Sequence, residues 1–268
     1  MGHVADQLAS VGVVLRPATL AAVLADHRPL AGLIASRVGA PGHPRPTFVV
    51  GIAGAVAAGK SLTAQVLAAL LTAGDGPRPD VVSTDGFLYP NQELAKQGLT
   101  NRKGFPESYD RSRLVAFLSA VRAGHVAEAP RYDHDRYDVV AGRCQLVDRP
   151  EVLIVEGVNV LQADPVGPTV SDFLDFSIYL DADEVDLHRW FLARMRALRA
   201  SSAGDPGSFF AGFATFSDDE FSAIGDAVWT SINRPNLVDH IAPTRARADL
   251  VLEKASDHTV RRVVLERG

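Results

Sequence analysis

Apolar residues along this chain follow two rhythms. Short unbroken runs occur at Thr47–Ala53, Asp80–Ser83, Val152–Val155, Phe176–Leu180, Leu250–Leu252 and Val260–Leu265. Runs of this length, rich in β-branched residues, predict buried strands. Between most of them the spacing changes to three and four. After Ser61, Leu62, Val66 and Leu70 recur every fourth residue with Leu67 and Leu71 beside them, which predicts a helix with one apolar face that Gly74 can end. Further helices are predicted near Asp110–Ala123, Glu184–Arg199 and Asp218–Ile232. Strands alternating with helices predict an α/β fold, a doubly wound and mostly parallel sheet with helices on both faces. Ahead of the first strand, Leu20, Val23 and Leu24 suggest a short helix, Leu30, Leu33 and Ile34 a second, and Gly39–Pro46 is a turn-rich linker. The expected division is a helical segment with its linker over 1–46 and an α/β domain over 47–268. Residues 200–216 break the rhythm with Ser, Gly and Pro and then carry Phe209, Phe210, Phe213 and Phe216. Such a segment suits a mobile lid, a pocket wall, or a loop pinned by its aromatics.

Composition narrows the class. A hydrophobic fraction of 47% with 22% charged residues fits a globular protein of one large domain. The net charge of −5 offers no general pull toward nucleic acid, so none is expected as a partner. Cys144 is the only cysteine, which excludes an internal disulfide and reads as an incidental thiol. No stretch is long and apolar enough to predict a membrane span, and no basic-then-apolar leader opens the chain, so a cytoplasmic location is expected.

The chemistry is concentrated in a few motifs. Gly54, Ala55, Val56, Ala57, Ala58, Gly59, Lys60 and Ser61, leading into Leu62, fit G-x-x-x-x-G-K-[ST] between a predicted strand and a predicted helix. This is a phosphate cradle: backbone N–H groups converge on an anion, Lys60 reaches the outer phosphates, and Ser61 is placed to ligate Mg²⁺. Asp85 follows the second strand and is expected on the same sheet end, as a base for an attacking hydroxyl, a Mg²⁺ holder or a turn residue. Glu156 ends another buried strand, as a Mg²⁺ ligand or a structural acceptor. Arg194 and Arg196 on the Glu184–Arg199 helix are candidates to reach a transferring phosphate or to stand as solvated charges. Tyr132-Asp-His-Asp-Arg-Tyr137 suits recognition of a small polar molecule or a solvated loop; no second His or Cys stands at metal-ligand spacing.

Taken together, Gly51–Ser61, Thr84–Asn91 (TDGFLYPN), Asn101–Asp110 (NRKGFPESYD), Ile154–Gln162 (IVEGVNVLQ), Val170–Asp181 (VSDFLDFSIYLD) and Ser231–Asp249 (SINRPNLVDHIAPTRARAD) resemble the bacterial type I pantothenate kinases, P-loop kinases of coenzyme A synthesis. The resemblance runs from about residue 47 to the end of the chain. It implies ATP and Mg²⁺ as cofactors, Asp85 as the base for the pantothenate hydroxyl, and Arg194 as the γ-phosphate arginine. It places Tyr132, His134, Tyr137, Phe191, Phe210 and Asn233 around the acceptor, and Lys254 and His258 near the adenine. It also implies a homodimer and coenzyme A as an inhibitor. Several positions depart from the family. Phe191 stands for a Tyr, and Met195, Leu198 and Ala203 for pocket aromatics. Gln65 replaces an Arg that helps bind coenzyme A, Arg131 and Asp133 replace smaller residues, and the region before residue 47 is shorter than usual. A nucleoside or another small alcohol therefore stands as the alternative acceptor. A nucleotide-binding regulator without catalysis and a nucleic-acid-dependent ATPase are the readings from other classes; the set Lys60, Ser61, Asp85 and Arg194 argues against the first and the acidic balance against the second.

Overall fold

Two helices, α1 (Gly2–Ser10) and α2 (Pro17–Val38), precede strand β1 (Phe48–Gly54). Then follow α3 (Lys60–Thr72), β2 (Pro79–Ser83), α4 (Asn91–Lys96), α5 (Arg111–Arg122), β3 (Ala127–Asp133), β4 (Asp138–Val147), β5 (Val152–Glu156), β6 (Phe176–Asp181), α6 (Glu184–Ser201), α7 (Asp218–Val228), β7 (Leu250–Lys254) and β8 (Val260–Leu265). This computed structural model describes all residues except Met1, 39–45, 74–75, 165, 203 and 267–268. Most of the linker, the Gly74 helix end and Ala203 therefore lie outside the described residues.

The apolar runs build one six-stranded sheet in the order β2-β5-β1-β6-β7-β8. Its first five strands are mutually parallel, and β8 runs antiparallel to β7. Val49, Ile52, Ile154, Ile178 and Val251 are fully buried, as strands covered on both faces require. Because β1, β2, β5 and β7 are parallel, their carboxyl ends gather the phosphate loop, Asp85, Glu156 and Lys254 at one edge. No helix among the described residues is long and apolar enough to cross a membrane.

The two suggested short helices are one helix, α2, which continues through Pro29. Proline removes one helical donor, but Leu24, His27, Leu30, Ala31 and Ile34 share one buried face, and that packing outweighs the lost bond. The spacing did not predict α1; its Val4 and Leu8 pack with Leu24 onto Val66 and Ala69 of α3.

The helix expected to stop near Ile232 also runs on. Wide π-helical turns at Trp229–Asn233 and Leu237–Ile241 flank the short turn Arg234–Asn236, and a tighter turn at Ala242–Arg247 ends the run. Pro235 lacks an N–H to give to a regular helix, and the wide turns stand on either side of it. The β3–β4 hairpin was not predicted, and the Tyr132–Tyr137 segment is its end rather than a free loop. Pro130 and the exposed charges of β3 hid the alternation, and the register shifts between Pro130 and Tyr132.

Candidate active site

The turn after β1 has the backbone that the glycine pattern anticipates. Gly54 (φ 144°) and Gly59 (φ 92°) both occupy the left-handed side of backbone space. A side chain at Gly54 would meet the Leu180 carbonyl at 2.6 Å, and one at Gly59 the Lys254 ammonium at 2.9 Å. Gly59 caps α3 without a side-chain bond, so the first helical N–H groups open into the concavity. Lys60 Nζ donates to the Ala55 carbonyl (2.8 Å) across the loop. Ala55 and Ala58 are buried beneath it, Val56 and Ala57 half-buried, and Leu62 packs toward α1 and α2.

Acidic groups stand at both flanks. Ser83 and Glu156 are register neighbours on β2 and β5. Ser61 Oγ donates to Glu156 Oε1 (2.9 Å), and the Ser83 side chain also bonds Glu156. Burial pushes the Glu156 carboxyl up and the Lys60 ammonium down, while their mutual attraction opposes both shifts. Ser61 and Glu156 are thus an oxygen pair at the mouth of a phosphate cradle, which fits a hard cation such as Mg²⁺.

Asp85 sits in a short turn, Thr84–Phe87, whose start is capped by Ser83: the Asp85 N–H donates to Ser83 Oγ at 3.3 Å. The chain then returns along this turn. Tyr89 N–H donates to Ser108 O (2.9 Å), Asp110 N–H donates to Phe87 O (2.8 Å), and Leu88 pairs with Tyr109. This return brings the buried Tyr109 hydroxyl onto the Asp85 carboxylate. Asp85 also acts electrostatically on Lys60, Lys103, Tyr132, His134 and Tyr137, so the hairpin end faces it. Burial raises the phenol pKa of Tyr132 and Tyr137, so both stay protonated hydrogen-bonding groups at neutral pH. Burial, then the neighbouring Arg194 charge, lowers His134 and keeps it neutral.

The two arginines of α6 separate. Arg194 Nη2 donates to His134 Nε2 (3.4 Å) and acts on Lys60, so it points into the site. Arg196 donates to Ser222 Oγ (2.8 Å from Nη2), a helix-to-helix tie. Residues 208–213 are pinned to the hairpin: Phe209 N–H donates to Asp135 O (2.7 Å), and the Phe209 ring stacks on Tyr137 at 4.9 Å. Phe210 is buried against Phe221 and lines a cleft of about 560 Å³ with Arg196, Arg199, Ala211 and Ala214. Of the residues matched to the acceptor pocket, Phe210 is the one that lines this cleft.

Other predicted residues spread more widely. Phe191 is buried beside Trp229, with ring centres 5.9 Å apart. Met195 and Leu192 fill the space that Gly225 of α7 leaves open, and Leu198 is half-buried. Gln65 is half-buried on α3, and Arg131 is exposed on β3. Asn233 lies in the first π-turn, and its buried Nδ2 has no hydrogen-bond partner among the described residues. Lys254 Nζ donates to the Ala58 carbonyl (3.0 Å), bracing the phosphate loop from below. His258 stacks on Trp190 at 4.0 Å.

Three residues here were not singled out from the chain: Tyr109, Lys103 and Trp190. The first two lie within Asn101–Asp110, whose value as a motif was seen but whose partners were not. Trp190 is four residues before Arg194, a spacing that puts both on one face of α6.

A phosphate-binding turn on the central strand, a lysine within it, and two acids on neighbouring strand ends define the class: this is a P-loop kinase. The phosphoribulokinase/uridine kinase family model matches residues 49–203. A pantothenate kinase of Sorangium cellulosum (strain So ce56) is 53% identical over 234 residues, covering 86% of this chain and 76% of that protein. A pantothenate kinase of Mycolicibacterium smegmatis is 48% identical, covering 85% and 73%. The chain belongs to the phosphoribulokinase/uridine kinase family and, within it, to the pantothenate kinases. Among solved structures, D-glycerate 3-kinase from Cryptococcus neoformans var. grubii shares the fold at a TM-score of 0.59 and 14% identity, covering 90% of this chain and 98% of that one. Phosphoribulokinase from Rhodobacter spheroides does so at 0.50 and 12%, covering 78% and 70%.

Proposed function

We propose that this chain moves the γ-phosphoryl group of ATP to a hydroxyl of pantothenate, giving 4'-phosphopantothenate, the first step of coenzyme A synthesis. The observation that carries this reading is the meeting of Asp85 with Lys60 on one side and the Tyr132 and Tyr137 phenols on the other, in a chain half identical to pantothenate kinases. Residues Gly54–Leu62 hold the phosphates. Ser61 and Glu156 would hold Mg²⁺, which neutralises phosphate charge when bound. Asp85 takes the proton of the acceptor hydroxyl, while Lys60 and Arg194 stabilise the charge of the passing phosphoryl. Tyr132, His134 and Tyr137 orient the acceptor, and the unpaired Asn233 amide donor suits one of its oxygens. Phe191 and Phe210 supply apolar wall. Lys254, with His258 on Trp190, gives the adenine an aromatic and cationic shelf. A cytoplasmic homodimer and inhibition by coenzyme A, weakened by Gln65, complete the reading.

The test is an acceptor screen. The protein with Mg-ATP is offered pantothenate, uridine and D-glycerate, and ADP release is followed. Release driven by pantothenate supports the assignment; release driven by uridine alone moves it to a nucleoside. A paired substitution tests the α6 assignment. Arg194→Ala is expected to lower kcat by roughly 10- to 10²-fold, whereas Arg196→Ala, tied to Ser222, leaves kcat within about twofold. Equal effects in steady-state assays would remove Arg194 from the site.

A further inference from the structure

Lys103 lies on the segment between α4 and α5 and has no part in the phosphoryl-transfer set above. Its half-buried ammonium donates to Asn91 Oδ1 and to the Tyr137 carbonyl, each at 2.6 Å. The same ammonium stands 4.2 Å from the Tyr137 ring centre and 5.0 Å from that of Tyr132. Asn91 reinforces the junction: its Nδ2 donates to the Tyr137 carbonyl at 2.9 Å, and its backbone N–H donates to Asp138 Oδ1 at 2.9 Å. Three separate pieces of chain, the start of α4, the 101–104 loop and the end of the β3–β4 hairpin, therefore meet at one cation.

Tyr137 needs such support. Its φ of 54° lies in the left-handed region, which a bulky side chain rarely adopts. A residue held there persists only where its surroundings over-determine it. The Tyr137 carbonyl is fixed by both Asn91 and Lys103, and its partly exposed ring packs against Tyr132 and stacks on Phe209.

We propose that Lys103 is a positioning residue for the acceptor: it locks Tyr137 in its strained turn and holds the Tyr132 and Tyr137 rings opposite Asp85. The inference rests on the reading that these phenols line the acceptor pocket. The charged and titratable groups around the ammonium are Asp138 at the start of β4, Asp85 after β2, and the Tyr132 and Tyr137 phenols. Burial lowers its pKa to about 8, with the Asp138 and Asp85 carboxylates opposing that shift. The sign follows. The cation is present below about pH 8 and is lost as pH rises through it, so its grip weakens on the alkaline side. The two phenols are shifted upward and do not change charge in that window.

The experiment compares wild type, Lys103→Met and Lys103→Arg in steady-state assays with pantothenate, and by calorimetric titration of pantothenate onto the ADP-loaded protein. The expected result for Lys103→Met is a ~10-fold or larger rise in acceptor KM and Kd, with kcat changed less than about threefold and ATP KM unchanged. Lys103→Arg recovers most of the loss, and its acceptor KM stays flat through pH 8 where the wild-type value climbs. An acceptor KM within about twofold of wild type in Lys103→Met overturns the proposal. So does a loss confined to kcat, an equal rise in ATP KM, or a flat wild-type pH profile. If Lys103→Met does not fold, Asn91→Ala decides: it removes one of the two bonds to the ammonium, and an unchanged acceptor KM sinks the idea. Wild-type turnover reports on the acceptor assignment separately; should another acceptor drive ADP release, the Lys103 comparison is made with that acceptor.

Discussion

Asp85→Ala is expected to cut turnover by at least ~10²-fold while leaving the fold and Mg-ATP affinity intact. The side chain is carried by a short turn whose backbone is independently secured. Ser83 caps its start, and residues 87–89 pair with 108–110. Removing the carboxylate would take away the proposed acceptor-side base and free the Tyr109 hydroxyl, while the phosphate loop keeps its own contacts through Ala55, Ala58, Lys60 and Lys254. Steady-state ADP release, calorimetry with Mg-ATP and a melting curve read the three parts separately. A folded, nucleotide-binding variant that turns over within several-fold of wild type would falsify the assignment of Asp85.

Gly86→Ala should be nearly as damaging by a different route. A Cβ at this position would lie 1.9 Å from the Pro130 carbonyl oxygen, a backbone atom of β3 that cannot swing aside. The turn bearing Asp85 and the strand bearing Tyr132 must then move apart. Overpacking of this kind costs about 2–3 kcal/mol, which for a chain of this size lowers Tm by roughly 5–10 °C. Acceptor KM should rise with it, because the carboxylate and the phenols no longer face each other. Gly212→Ala is the matched control: a Cβ there meets nothing within 4 Å, and Tm should stay within about 2 °C. Equal melting temperatures for the two variants would show that the contact between turn and hairpin has room to spare.

Much of this site is legible in the sequence. The phosphate cradle is local: the turn needs residues tolerant of left-handed backbone at fixed spacing, and Gly54 and Gly59 supply it within eight positions. Asp85 and Glu156 were placed because parallel strands deliver their carboxyl ends to one side of the sheet, so reading each strand end sufficed. The hairpin was harder. Its strands carry Pro130, Arg131 and a run of exposed residues, and nothing in that pattern shows that Asp85 lies opposite. The roles of Tyr109 and Lys103 depend on a return of the chain onto the turn after β2, through backbone pairing of 87–89 with 108–110 that the Asn101–Asp110 motif does not itself reveal.

The N-terminal helices teach the same lesson from the core. The apolar spacing predicts two short helices, yet α2 is continuous through Pro29 and places Leu30, Ala31 and Ile34 in the main apolar cluster. By itself the chain determined the features whose physics is near-neighbour: strand rhythm, the phosphate turn and the acids at strand ends. Tertiary structure decided that Arg194 turns toward His134 and Lys60 while Arg196 ties to Ser222, that the Tyr109 hydroxyl meets Asp85, and that Lys103 binds the hairpin. Those outcomes depend on contacts between residues tens to more than a hundred positions apart, whose free energy exists only once the sheet and its covering helices have assembled.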